Sequence, residues 1–371
     1  MRSVTLAALA AAMIGLGGHA IAATPKFDVR VDTSGADVVL AAALSDPVHA
    51  AAAADAALEN PAVLALIAKM GKYDKAVTAD AFKAAVVEVA RGGSGAPFDL
   101  ARLRKDPDPT RRMLARLKSD GETIAARIAE RLSAFTPAGL DLQTRLFVLV
   151  GSNQNGWVPV QTVPDFYVDL GFHGEEVESV MAVASHELFH VVQGKLRPDW
   201  TAEFKDRPDL PPDGRGLHRA HAVLENLFLE GMATYVGDAT AFTATGPHIA
   251  RDQRELKRNL ARADEIFALF DTVLYRARHD PDAPLDTLLN IGFGGAWDQT
   301  GYYVGYRMAQ VIDRYLGRER LRTLVTLPPE AFISDYIALS QAHRDDPQIT
   351  HLSSATVATV ADLKQLGDRR P

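Results

Sequence analysis

The 371-residue chain contains no cysteine, which removes disulfides, thiolate metal sites and thiol nucleophiles from its possible chemistry. A metal can be held only by His, Asp or Glu. The chain also lacks an excess of positive charge. Its 40 Lys and Arg stand against 47 Asp and Glu, a net −7, which argues against a general nucleic-acid binder. Past the first segment it has no apolar run near the roughly 20 residues that a membrane span requires. What is present is 47% hydrophobic content, enough at this length for one large core or two modest ones. With 23% charged residues, the composition is not that of a disordered chain.

The first residues read as a targeting segment. Met1 and Arg2 give a positive start, an apolar run extends from Val4 to Leu16, and Ala20-Ile21-Ala22 supplies small residues for cleavage. That pattern is expected to be a secretory signal, cleaved after Ala22 or Ala23. The run of about 13 residues is short for an anchor. The mature chain is therefore expected to be exported, periplasmic or secreted. A core of this size does not need disulfides, so their absence is compatible with export.

Four regions follow from the pattern: a signal over 1–22, an N-terminal helical region over 23–135, a core over 136–245 and a C-terminal helical region over 246–371. Lys26 to Asp32 reads as a short strand or extended arm. From Gly35 to about Arg91 the chain is alanine-rich and helical, with Phe82, Ala85, Val86 and Val89 on one face and Thr78 placed to cap it. A charged helix is expected over about Thr110 to Phe135. Leu142 to Val150 and Asp165 to Leu170 read as strands, separated by turn chemistry at Gly151 to Gly156. Val177 to Lys195 has a helix pattern. Arg207 to Gly216 reads as a loop because of its prolines and glycines. Beyond His218 the chain is mostly helical. Leu256, Leu260, Ala263, Phe267, Phe270 and Leu274 form one stripe; Val304, Met308, Val311, Ile312 and Tyr315 form another, closed by Gly317.

The chemistry lies in His186-Glu187-Leu188-Phe189-His190, an HExxH string inside the helix over Val177 to Lys195. Residues four apart share a helix face, so His186 and His190 can present two imidazoles to one metal. Glu187 lies about 100° round, where its carboxylate can act as general base on a zinc-activated water. Val180, Met181, Val183, Leu188, Phe189, Val191 and Val192 surround the string with apolar side chains. Imidazoles and a carboxylate buried among them are costly without a partner, and zinc supplies one. A catalytic zinc site needs a third protein ligand and one open position. Gln193 and Leu196 stand where a metzincin would have Gly and His, so that extension is absent. Glu230, in Glu230-Gly231-Met232-Ala233-Thr234-Tyr235, is the expected third ligand, and the small Gly231 and Ala233 are expected to let its helix approach the metal helix. Glu225, His218 and His221 are its competitors.

These residues resemble the gluzincin side of the zinc peptidases. HExxH followed by Glu-Gly-x-Ala-x-Tyr is most similar to bacterial zinc-dependent peptidases of the peptidase MA-like group. Gly301-Tyr302-Tyr303-Val304-Gly305-Tyr306-Arg307-Met308, running into Leu316 to Leu321, carries a second part of the resemblance, which covers about Leu142 to Leu324. It implies an α+β, mostly helical zincin-like fold with a small mixed sheet preceding the HExxH helix. It implies one catalytic zinc and a peptide or protein substrate. By position it gives Tyr302 the role of hydrogen-bond donor to the oxyanion, with Tyr303 and Tyr306 as rivals. Thr234 stands where thermolysin-like enzymes have a histidine-orienting aspartate, which leaves Thr234 or Asp238 for that part. The motif that holds a substrate N-terminus in aminopeptidases is absent. The resemblance also implies that an extended substrate pairs with the edge of the sheet, expected at Phe166 to Leu170. Hydrolysis of a non-peptide amide or ester, and a non-catalytic zinc scaffold, are the alternative readings.

Overall fold

The computed structural model describes residues 24–152, 154–158, 164–197, 207–280 and 282–367. The expected secretory signal over 1–22 lies outside the described residues. Strand β1 (Lys26–Asp32) opens the described chain. Helices α1 (Ser34–Leu44), α2 (Ala50–Leu58), α3 (Pro61–Met70), α4 (Ala79–Ala90), α5 (Leu100–Lys105) and α6 (Asp108–Ser133) follow. Strands β2 (Asp141–Leu149), β3 (Gly156–Trp157) and β4 (Phe166–Asp169) precede α7 (Val177–Leu196) and α8 (Pro212–Val236). The C-terminal part adds α9 (Pro247–Ala261), α10 (Ala263–His279), α11 (Leu285–Phe293), α12 (Thr300–Leu316), α13 (Arg318–Leu324), α14 (Pro329–Ala342) and α15 (Ser354–Gly367). The result is an α+β fold, mostly helical, with one small mixed sheet ahead of the HExxH helix. Among the described residues no single helix is long and apolar enough to cross a membrane.

Local chemistry explains several boundaries. The Asn60 side chain accepts from Ala62 N at 2.9 Å just ahead of Pro61, and α3 begins there. Thr78 caps α4 as its position suggests, accepting from Ala81 N at 3.1 Å. Two boundaries differ from the sequence pattern. Pro212 starts α8 inside the stretch read as a loop, because a proline in the first helical turn removes an N–H that has no helical partner. The stripe from Leu256 to Leu274 belongs to two helices, broken at Arg262, whose guanidinium bonds back to Asn259 Oδ1 at 2.7 Å.

The sheet runs β1-β2-β4-β3, with β1, β2 and β4 parallel and β3 antiparallel to β4. Strand β4 is therefore interior, paired with β2 at Phe147↔Tyr167 and with β3 at Trp157↔Tyr167. This corrects the expectation that Phe166 to Leu170 forms the edge. All four β4 residues are buried, as a strand covered on both faces requires, and Leu170 already belongs to a turn of 3₁₀ helix. The sheet's edges are β1 and, on the side of the HExxH helix, the two-residue β3, too short for a periodic pattern to show. Tyr167 stacks between Trp157 and Phe147, with ring centroids 5.1 Å away on each side.

The main core of the described residues runs from Val29 in β1 to Leu363 in α15, with a small separate cluster of Ala182, Ala239 and Ile249. Strand β1 pairs along its whole length with β2, and α6 packs on both β1 and α7. The N-terminal helices thus share the sheet that leads into the metal helix. Helix α8 is the hub of the C-terminal part, packing against α7, α10, α12 and α14. It crosses α12 backbone on backbone: a Cβ on Gly231 would lie 2.3 Å from Gly305 Cα. Gly231 therefore faces α12, and its smallness does not serve contact with the metal helix as expected.

Candidate metal centre

Helix α7 is apolar on nearly every side, with Val180, Leu188, Phe189 and Val192 fully buried. The two imidazoles leave it one turn apart, and α8 brings Glu230 up against them. His186 Nε2 and His190 Nε2 are 3.1 Å apart, and Glu230 Oε2 lies 3.4 Å and 3.3 Å from them. A tetrahedral ion with bonds of about 2.0–2.2 Å sets its ligand atoms roughly 3.3–3.6 Å apart. Glu230 Oε2 is buried and accepts no hydrogen bond. Three ligand atoms converge where a cation would satisfy them, and His186, His190 and Glu230 could hold a metal ion.

The electrostatics agree. Burial disfavours a charged His190, but Glu230 and Glu187 outweigh burial and push its imidazole up to about 9. Burial likewise works against an ionised Glu230, yet the two histidines hold its carboxyl far below the ordinary range. A positive charge at this point stabilises both carboxylates.

Gln193 orients the site, and the sequence reading passed over it. Its Nε2 donates to Leu229 O at 3.1 Å, which turns Oε1 toward His190 Nδ1 at 2.8 Å. An amide oxygen only accepts, so Nδ1 carries a hydrogen, and a metal that displaces the second proton would meet the lone pair of Nε2. The signal was available: a buried amide three residues after the second histidine, on the same helix face. Thr234 and Asp238 do other work. Thr234 Oγ1 donates to Glu230 O at 2.7 Å, and Asp238 accepts from Tyr306 OH at 2.8 Å and from Thr240 N at 2.7 Å.

Glu187 and Tyr302 line the same cleft, about 720 Å³ in volume. Burial raises the Glu187 carboxyl above its ordinary range, against the pull of His186 and His190. A Cβ on Gly156 would lie 3.1 Å from Glu187 Oε1 and 2.8 Å from Val183 Cγ1, so the sheet edge lies directly over this carboxylate. The Tyr302 ring lies nearly parallel to that of His186, 11° between planes and 6.1 Å between centroids. Burial, Glu230 and Glu187 push its phenol well up, so it keeps its proton. Tyr306 is committed to Asp238, and Tyr303 lines the cleft next to Tyr302. Lys69 and Tyr73 of the N-terminal region form another wall, and Asp252 and Glu255 of α9 a further one.

The competing ligands lie elsewhere on α8. Glu225 is fully buried and binds Arg197 Nη2 at 2.5 Å, and His221 bonds Glu330 of α14. His218 lies one turn before His221 and is not part of the trio.

No curated protein and no solved structure matches the chain. A family model does, over residues 57–345, a span that includes the trio, Glu187 and Tyr302. That span covers well over half of the sequence, and the chain belongs to the family described as putative zinc dependent peptidase (DUF5700).

Proposed function

We propose that this protein is an exported zinc metallopeptidase with the cleft beside α7 as its active site. One observation carries the reading: two histidines and a glutamate converge within bonding range of one ion, and a second glutamate and a phenol border the same cleft. His186, His190 and Glu230 hold the zinc. When bound, zinc lowers the pKa of water and polarises a carbonyl. Glu187 takes the proton of the attacking water and returns it to the departing amine. Tyr302, protonated, donates to the oxyanion of the tetrahedral intermediate. An extended substrate pairs with β3, whose residues Gly156 and Trp157 line the cleft. The N-terminal run from Val4 to Leu16, with its small residues at Ala20 and Ala22, supports export.

The test is Glu187→Gln. With zinc content unchanged, kcat should fall by about 10²–10⁴, the usual range for a lost general base. Full activity in that variant rejects the mechanism. Casein, short peptides and simple esters, assayed side by side, identify the bond that is cut; hydrolysis of esters alone would replace the peptidase reading with a non-peptide hydrolase.

A further inference from the structure

Another face of α7 borders a second cavity, of about 450 Å³. Met181 and Ser185 face it from α7, and Arg127 and Arg131 from α6. Arg131 is the group to explain. It is half-buried and donates to the C-terminal carbonyls of α8, at Val236 O and, at 3.5 Å, Tyr235 O. It lies 5.5 Å from the centre of the Phe242 ring. Among the described residues no carboxylate is within ion-pair distance of it. Asp238, in the same lining, is engaged by Tyr306 and Thr240. Arg318 faces the cavity too, stacked 3.9 Å over Phe135 and paired with Asp313 at 2.9 Å and 3.0 Å.

Three guanidinium groups thus face one cavity, with Glu130 and Asp238 in the same lining: Arg318 is held by Asp313, Arg127 lies 4.0 Å from Glu178, and Arg131 has no carboxylate within ion-pair distance among the described residues. Burial lowers the affinity of Arg131 for its proton, Asp238 opposes this, and Arg318 adds repulsion. A partly buried cation of this kind is stabilised by an oxyanion that meets its planar N–H edge. Phe135, Ile128, Met181 and Phe242 give the remainder of the lining an apolar character.

We propose that this cavity is a binding site for a small oxyanion carried on an apolar group, of the kind found at the C-terminus of a short peptide, with Arg131 and Arg318 as its anchors. Carboxylate and phosphate share the needed chemistry, and the apolar lining favours the carboxylate. The site stands independently of the metal cleft, touching it only through Asp238 and the shared helix α7.

The experiment is calorimetric titration of the full zinc-loaded protein with three probes: N-acetyl-phenylalanine, its neutral amide, and inorganic phosphate. Saturable binding of the acid but not the amide is expected. Phosphate binding equal to or tighter than the acid keeps the oxyanion site and assigns it to a free anion. Arg131→Met should weaken the acid by about tenfold or more, the worth of one charge-assisted hydrogen bond. Because Arg131 also caps α8, a second variant guards against misfolding. Ala241→Glu, at the exposed rim, supplies a built-in carboxylate and should abolish binding without touching the cap. No saturable binding of acid or phosphate, equal binding of acid and amide, or wild-type affinity in both variants would overturn the proposal.

Discussion

Two groups of ionisable side chains that both combine histidine with glutamate lie along helices α7 and α8, and the groups end differently. Toward the middle of α7, His186, His190 and Glu230 point acceptor atoms at one another, 3.1–3.4 Å apart, and Glu230 Oε2 accepts no hydrogen bond. At the C-terminal end of α7, Arg197 meets Glu225 and His221 meets Glu330, each donor facing an acceptor. The second group is closed on itself by opposite charges. The first is incomplete without a cation. Burial alone does not mark a metal site; convergence of acceptors does.

Variants can break or sharpen this contrast. The largest effect outside the mechanism itself is expected at Glu225. Glu225→Ala leaves the half-buried Arg197 without its partner and should lower unfolding free energy by about 2–4 kcal/mol, measured by denaturant titration. Zinc bound per folded molecule should not change; if it falls, the two groups are not separate. Tyr302→Phe keeps the ring against His186 and removes only the hydroxyl. A kcat loss of about 10²–10³ at constant zinc content is expected, and unaltered kcat would remove Tyr302 from the chemistry. Gln193→Leu releases His190 from Leu229 and should weaken zinc by about 10–100-fold in a chelator competition, with little change in thermal stability of the loaded protein. Equal zinc affinity would show that the imidazole is held by packing alone.

The trio was legible in the sequence because two of its members lie on one helix turn. Their spacing of four fixes their geometry before any tertiary contact forms. Glu230 was readable from its apolar helix and small neighbours, although Gly231 serves the crossing with Gly305 on α12. That crossing carries Tyr302, three residues before Gly305, into the same cleft as Glu230. The sheet edge was not legible. Gly156 and Trp157 make a strand of two residues, and strand order depends on pairings between segments far apart in the chain. Gln193 was overlooked because its role depends on a carbonyl 36 residues away, at Leu229.

The sequence by itself determined the helical character, the absence of thiol chemistry and the pair of imidazoles on α7. These rest on composition and on the helical repeat, both local properties. Only the tertiary structure decided which carboxylate joins them, which strand borders the cleft and which arginine faces a cavity with no carboxylate in ion-pair reach among the described residues. Each of those depends on where separate helices cross, and crossings are set by packing over the whole core.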